Sequence, residues 1–347
     1  MAALYVVSTE GSAGKSALCA GLGKKLQTDG KKVGYFKPVS NSPDPKDKDA
    51  ELMRQLLDLK EPVESLGPII KSTQDLAATA EEKEPTWLKD IEKAYSAVSK
   101  GKDVVLIEGL SDLKAGGTQT QLANRIAEAL KAKVILVAPY SGGLSGEQIA
   151  GAVKGLENVL GVVINAVPER QVSKVEDTVL PSLERSNIAL LGILPEDRIL
   201  LTATVAELAE HVGGSILNSQ DRSNELVESV MVGAMSVDSA LSYLTLKENK
   251  AVITRGDRAD IQLAALETST KCLVLTGNID PVPTILSRAL ELDVPIVLVE
   301  NDTVSTMDAL EGAFGTSGFA SEKKVARLGQ ILEQNLDMKA INQAIQG

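Results

Sequence analysis

Two cysteines, one histidine and no long apolar run distinguish this chain of 347 residues by what they exclude. Cys19 and Cys272 lie far apart in sequence, which leaves no disulfide framework and points to reduced thiols in a cytoplasmic protein. Cys272 falls inside an apolar strand-like run, and the lone histidine, His211, ends a helical segment, so no Cys–His pair is on offer for glutamine hydrolysis. No apolar stretch approaches the roughly 18 residues that a membrane span needs. The N-terminus enters strand-like sequence at once, without the basic region, apolar core or cleavage site of a secretory leader. Positive charge is also in short supply. Against 47 Asp and Glu stand 36 Lys and Arg, a formal charge of -11, which argues against a nucleic-acid backbone as partner.

The length is too great for one ordinary core and suggests two domains. Charge divides the same way: residues 1–200 hold 25 basic and 27 acidic side chains, residues 201–347 hold 11 and 20. In the first part, apolar runs at Ala3–Ser8, Lys32–Pro38, Asp103–Glu108, Lys133–Ala138, Asn158–Asn165 and Ile188–Leu194 alternate with helical patterns at Trp87–Lys100, Thr118–Lys131 and Gln171–Arg185. Strands of near-continuous Val, Ile and Leu suit a parallel sheet covered on both faces, so the expected class is α/β: a doubly wound, mostly parallel sheet. The polar segment Ser40–Lys48, with Pro43 and Pro45, reads as an exposed loop.

A smaller α/β rhythm follows, with strands expected at Leu226–Val232, Lys250–Thr254, Lys271–Thr276 and Pro295–Glu300, and a short helix at Thr202–His211. Ser321–Ile345 reads as one amphipathic helix with Val325, Leu328, Leu332 and Leu336 on one stripe, either packed on its own domain or facing a second copy in a homodimer. The expected organisation is a nucleotide-binding domain over 1–198, a second α/β domain over 199–320 and a terminal helix over 321–347.

The chemistry concentrates in Thr9-Glu10-Gly11-Ser12-Ala13-Gly14-Lys15-Ser16, which follows the first apolar run and opens a helical segment at Ala17. Strand, glycine-rich turn, Lys-Ser and helix is the order of a P-loop. Its backbone N–H groups and helix terminus suit phosphate oxygens. Lys15 is placed to sit between β- and γ-phosphates, and the Ser16 hydroxyl to ligate Mg2+. Thr9, Gly11, Ser12, Ala13, Gly14, Lys15, Ser16 and Ala17 are therefore the candidate nucleotide contacts. Thr9 stands where the usual motif begins with glycine.

Three further residues sit at strand ends or just beyond them. Glu108 closes Val104-Val105-Leu106-Ile107 and is either a Walker-B-like metal acid or a surface carboxylate. Asp49 is either a second metal ligand or the N-cap of the helix after it. Lys37 either reaches a phosphate or is a solvated loop lysine.

The set Thr9…Gly14-Lys15-Ser16, Gly34-Tyr35-Phe36-Lys37-Pro38-Val39, Asp49-Ala50, Ile107-Glu108-Gly109, Gly161-Val162-Val163-Ile164-Asn165 and Leu191-Gly192-Ile193-Leu194-Pro195 resembles dethiobiotin synthetase. That resemblance covers residues 1 to about 198. It implies ATP as the nucleotide, with Lys15 and Lys37 as the catalytic contacts to phosphate and Ser16, Asp49 and Glu108 on Mg2+. It also implies Asn165 on the adenine edge, with the Pro195 loop beside it, and makes Thr9 ordinary. ParA/MinD ATPases share the fold, but their signature lysine falls where this chain has Glu10. The substrate-framing glycines of the synthetase are replaced by Leu110-Ser111-Asp112-Leu113-Lys114, and its acid-apolar loop pair by Ser12-Ala13. Biotin synthesis is therefore not the expected task.

Val252-Ile253-Thr254-Arg255-Gly256-Asp257-Arg258-Ala259-Asp260, with Val232-Gly233-Ala234-Met235-Ser236 and Leu275-Thr276-Gly277-Asn278, resembles a DRTGG domain. Ala259 replaces the motif's threonine, and Asn278 a glycine. Asp257 either caps a helix starting at Arg258 or joins Thr254, Arg258, Thr276 and Gly277 around a small-molecule ligand. A dethiobiotin-synthetase-like domain followed by DRTGG is similar to the N-terminal regulatory region of long phosphotransacetylases. The expectation is a free-standing Mg-ATP-binding regulatory relative that senses or slowly hydrolyses ATP, without the acetyl-transferring domain, acting on a protein partner or through a dimer. Its rival is an ATP-dependent ligase that activates a small acid or amine.

Overall fold

The computed structural model describes residues 1–40, 47–67, 76, 85–314 and 321–346, so most of the loop expected at Ser40–Lys48 lies outside the described residues. The chain divides into two compact units, one of residues 1–196 with 324–347 and one of residues 197–323.

In the first unit the six apolar runs become β1 (Ala2–Ser8), β2 (Val33–Phe36), β3 (Val104–Glu108), β4 (Lys133–Pro139), β5 (Val159–Val167) and β6 (Leu190–Pro195). They form one parallel sheet in the order β2-β3-β1-β4-β5-β6. Leu4, Val6, Val105, Ile107, Ile135 and Val163 are all buried, as expected for strands covered on both faces. The intervening helices are α1 (Lys15–Thr28), α2 (Lys48–Leu56), α3 (Val63–Leu66), α4 (Thr86–Val98), α5 (Thr118–Ala129), α6 (Gly146–Val153) and α7 (Val172–Arg185). The strand order runs outward in both directions from β1, and this places the β1 carboxyl end beside those of β3 and β4. Val6 is in register with Glu108 and Ser8 with Val137.

The second unit carries β7 (Ala203–Thr204), β8 (Ser215–Ile216), β9 (Leu226–Val227), β10 (Ser229–Val232), β11 (Lys250–Arg255), β12 (Thr270–Thr276) and β13 (Ile296–Leu298). Its helices are α8 (Val205–His211), α9 (Val237–Leu244), α10 (Ala259–Leu266), α11 (Pro283–Glu291) and α12 (Thr303–Ala313). The main sheet runs β10-β11-β12-β13-β8, with only β8 antiparallel. Strand alternation feeds two cores: Ala251, Ile253, Cys272 and Val274 enter one, Val252, Leu273 and Leu275 the other.

Three expectations change. Leu226–Val232 is not one strand: after Val227 the chain leaves β7, Glu228 N donates to Asn249 O, and β10 pairs with β11 instead. Thr202–His211 is not all helix. Thr204 ends β7 and then caps α8, its hydroxyl accepting from Glu207 N while the Glu207 carboxylate accepts from Thr204 N. The terminal segment is two helices, α13 (Glu322–Asn335) and α14 (Met338–Gln346). They break because Leu336 bridges to Gly192 on the sheet-edge strand β6, Asp337 N donates to Leu191 O, and the Asp337 side chain accepts from Lys339 N and Ala340 N. The stripe of Leu328 and Leu332 closes over α1 at Gly21, inside the first unit. Among the described residues no helix is long and apolar enough to cross a membrane.

Candidate functional site

The loop from Thr9 to Gly14 turns the chain from the carboxyl end of β1 into α1. Thr9 N donates to Val137 O, and Ser8 N to Leu110 O, so both neighbouring strands clamp its entry. Gly14 has φ 92, a left-handed conformation that favours glycine, and a Cβ there would push the Asn165 amide aside. The N-cap of α1 is Gly14, which makes no side-chain cap bond. The first N–H groups of this helix, from Lys15, Ser16 and Ala17, are thus the orphan donors of a helix start, aimed where a phosphate fits.

Lys15 Nζ donates to Ser8 Oγ (3.1 Å) and Ser111 Oγ (2.5 Å). Burial pushes its pKa down, and the nearby Glu108 charge opposes that. Glu108, only 4% exposed, accepts from the Ser16 hydroxyl on Oε1 (2.8 Å) and from the Tyr35 phenol on Oε2 (2.8 Å). Burial, joined by the Asp49 charge, pushes the Glu108 carboxyl above its ordinary range; Lys37 and the two hydroxyl donors pull the other way. The Tyr35 phenol is driven far up by burial and by Glu108, which keeps it a neutral donor.

Lys37 Nζ lies between Asp47 Oδ2 (2.9 Å) and Asp49 Oδ2 (2.6 Å). Burial alone would lower its pKa, but Glu108, Asp49 and Asp47 outweigh burial and hold it above the lysine range. Asp47, not Asp49, is the N-cap of α2: its Oδ1 accepts from Asp49 N and Ala50 N, each at 3.0 Å. Burial pushes the Asp47 carboxyl up, yet hydrogen bonds from Ser40 and Lys37 hold it below the carboxylate range. The capping alternative for Asp49 is therefore replaced: its side chain holds Lys37.

Asn165, at the carboxyl end of β5, donates from Nδ2 to Ala13 O (2.9 Å) and so leans onto the phosphate loop. Pro195 ends β6 one strand further out, in register with Val167. The structure thus gathers Lys15, Ser16, Lys37, Asp49 and Glu108 around one strand edge, with Asn165 alongside. Sequence reasoning missed Tyr35, Asp47, Ser8 and Ser111 as partners. Only Asp47 carried a readable signal, an acid directly before a helical pattern.

Among the described residues no group of three His, Cys, Asp or Glu side chains could hold a metal ion. What does meet is one hydroxyl and one carboxylate, Ser16 Oγ and Glu108 Oε1. A pair of hard oxygens fits Mg2+, which characteristically takes one or two protein ligands and completes its shell with water and substrate phosphates.

In the second unit, Thr254 and Thr276 are buried at the ends of β11 and β12 and serve the fold: Thr254 Oγ1 donates to Gly233 O (3.1 Å), and Thr276 Oγ1 lies 2.9 Å from Thr303 Oγ1. Asp257 pairs with Arg255 (2.8 Å) and does not cap; α10 starts at Ala259, with Arg258 in the cap position and no side-chain bond there. Arg258 pairs with Asp260 (2.9 Å) and also donates to Met235 O. Gly277 adopts φ 83.

A family model described as an AAA domain matches residues 2–204, and one described as a DRTGG domain matches residues 207–313. Curated relatives include the phosphate acetyltransferase of Nitratidesulfovibrio vulgaris, 27% identical over 358 residues, covering 96% of this chain and 50% of that protein. The phosphate acetyltransferase of Pseudomonas putida is 28% identical over 336 residues, covering 89% and 47%. The chain spans about half the length of these relatives. Among solved structures, the CBS and DRTGG domains of Clostridium perfringens pyrophosphatase complexed with diadenosine tetraphosphate are similar at 16% identity, covering 44% of this chain and 74% of that one, with a TM-score of 0.30. Cobyrinic acid a,c-diamide synthase of Mycobacterium smegmatis with bound ADP and magnesium is similar at 18% identity, covering 57% and 88%, with a TM-score of 0.38.

Proposed function

Because the chain belongs to the AAA-domain family over residues 2–204, with a DRTGG domain following, we propose that it is a Mg-ATP-binding regulatory protein. In this reading it is the counterpart of the N-terminal half of phosphate acetyltransferases and works in the cytoplasm. The loop and the α1 terminus bind the phosphates, and Lys15 and Lys37 supply positive charge to them. Ser16 and Glu108 hold Mg2+, with Asp49 beside them. When bound, the metal neutralises charge on the phosphate oxygens. The DRTGG unit passes the nucleotide state to a protein partner or a second copy, with a small molecule as its own ligand.

The observation that carries this is Glu108: a nearly fully buried carboxylate, at the end of the strand beside the loop, bonded to the loop serine. Burying such a charge is costly unless charged groups or a cation share the site. Glu108→Gln keeps the shape and removes the charge, so ATP affinity measured by calorimetry should lose most of its dependence on Mg2+. An identical metal requirement in mutant and parent removes Glu108 from the metal. Phosphate release stimulated by a small acid or amine would favour the ligase instead.

Asn165 is the proposed adenine reader. Asn165→Ala should narrow the preference for ATP over GTP in competition titrations; an unchanged preference places base recognition elsewhere. Its bond to Ala13 O means that some loss of affinity for both nucleotides accompanies the change.

A further inference from the structure

A groove opens in the first unit at the edge of the sheet away from the phosphate loop. β1, β2 and β3 are parallel, so the phosphate loop lies at their carboxyl ends and the amino ends of β2 and β3 lie at the far edge. There the residues after α1, the turn after α2 and the loop before β3 border an open groove of about 430 Å³. That volume lies within the range of small-molecule sites, on the order of 300–1,000 Å³.

Its lining is basic in an acidic protein. Lys31, Lys32, Lys60, Lys100 and Lys102 all contribute, against the carboxylates of Asp58 and Glu61. Glu61 is already committed: Lys102 Nζ stands 2.9 Å from its Oε1, and although burial favours the neutral acid, that lysine holds its pKa below the ordinary range. The other four lysines have no carboxylate within ion-pair distance among the described residues. Against the single remaining carboxylate, Asp58, these four lysines leave the lining net positive, and an anion relieves their mutual repulsion. The floor is apolar, with Val33, Leu57 and Leu59 buried beneath the charged rim.

The cations are all lysines. Lysine is a compact point charge on a flexible stem, so several of them can reach the oxygens of a highly charged anion such as a polyphosphate from different directions. We propose that this groove is a second anion site, separate from the nucleotide loop, that binds a small molecule bearing several phosphates. It does not depend on the loop's role.

Calorimetric titration of inorganic triphosphate into the full chain tests this. Binding should persist in Lys15→Ala and fall about tenfold or more in Lys60→Ala/Lys100→Ala. Both of those lysines are exposed, so the melting temperature of the double variant should match the parent. Lys31→Gln/Lys32→Gln, on another wall, should give the same loss. Citrate should bind more weakly than triphosphate. Binding that vanishes in Lys15→Ala and survives both double variants would overturn the second site, because the loop alone then holds the probe. Equal affinity for citrate would overturn the assignment to phosphate.

Discussion

Lys15→Ala should bind ATP ten- to a hundredfold more weakly than the parent while melting at the same temperature. The size follows from a charge-assisted contact to phosphate, worth about 1.5–3 kcal/mol. The unchanged fold follows from what Lys15 touches: two hydroxyls, Ser8 and Ser111, and among the described residues no ion pair. Burial already disfavours its charge in the free protein, so truncation removes a desolvation cost along with the hydrogen bonds. Calorimetry with and without nucleotide separates the two effects. Equal affinity in mutant and parent would remove Lys15 from the phosphates. A collapse in melting temperature would instead make it a structural residue.

The second large effect is expected in the DRTGG unit, where Gly256→Ala should destabilise by about 3 kcal/mol. A Cβ at Gly256 runs into the backbone carbonyl of Ile279, and backbone cannot rotate away as a side chain can. Gly256 N also donates to Thr276 O, and its own carbonyl accepts from Gln262 Nε2, so the turn is fixed on both sides. Thermal unfolding of the variant should shift down by roughly 10 °C, with hydrogen exchange rising first in residues 250–276. Gly11→Ala provides the contrast, since nothing lies near the added atom. If the two substitutions behave alike, the packing account of Gly256 fails. A difference between them gives the glycine in this motif a reading apart from ligand binding: it lets two strand-end loops pass close together.

Much of the first unit was legible because each strand is buried on both faces and announces itself as an apolar run. The phosphate loop was legible for a different reason: its geometry needs particular residues in immediate succession. Glu108 could be picked out as an acid at a strand end, but what it bonds could not. Tyr35 reaches Glu108 because β3 lies between β2 and β1, and sequence does not print the order of strands. Ser111 meets Lys15 for the same reason, across 96 positions of chain. Asp49 reads as a candidate cap because a sequence does not mark where a helix begins; the helix starts at Lys48, and Asp47 caps it. The break between α13 and α14 was hidden because the hydrophobic stripe continues through it. An edge strand elsewhere in the chain, together with the Asp337 cap of the next helix, interrupts the helix at Leu336.

That contact has a consequence for how the protein is made. β6 is the last strand of its sheet, and Leu336 bridges to it at Gly192. On a ribosome, Gly192 emerges about 140 residues before its cover does. At about 5–20 residues per second, the nascent chain holds an open sheet edge for roughly 7 to 30 s while the DRTGG unit is translated. An open edge is a template for pairing with other chains. Slowed translation across residues 197–323 should therefore raise the aggregated fraction, and chaperones that shield extended strands should lower it.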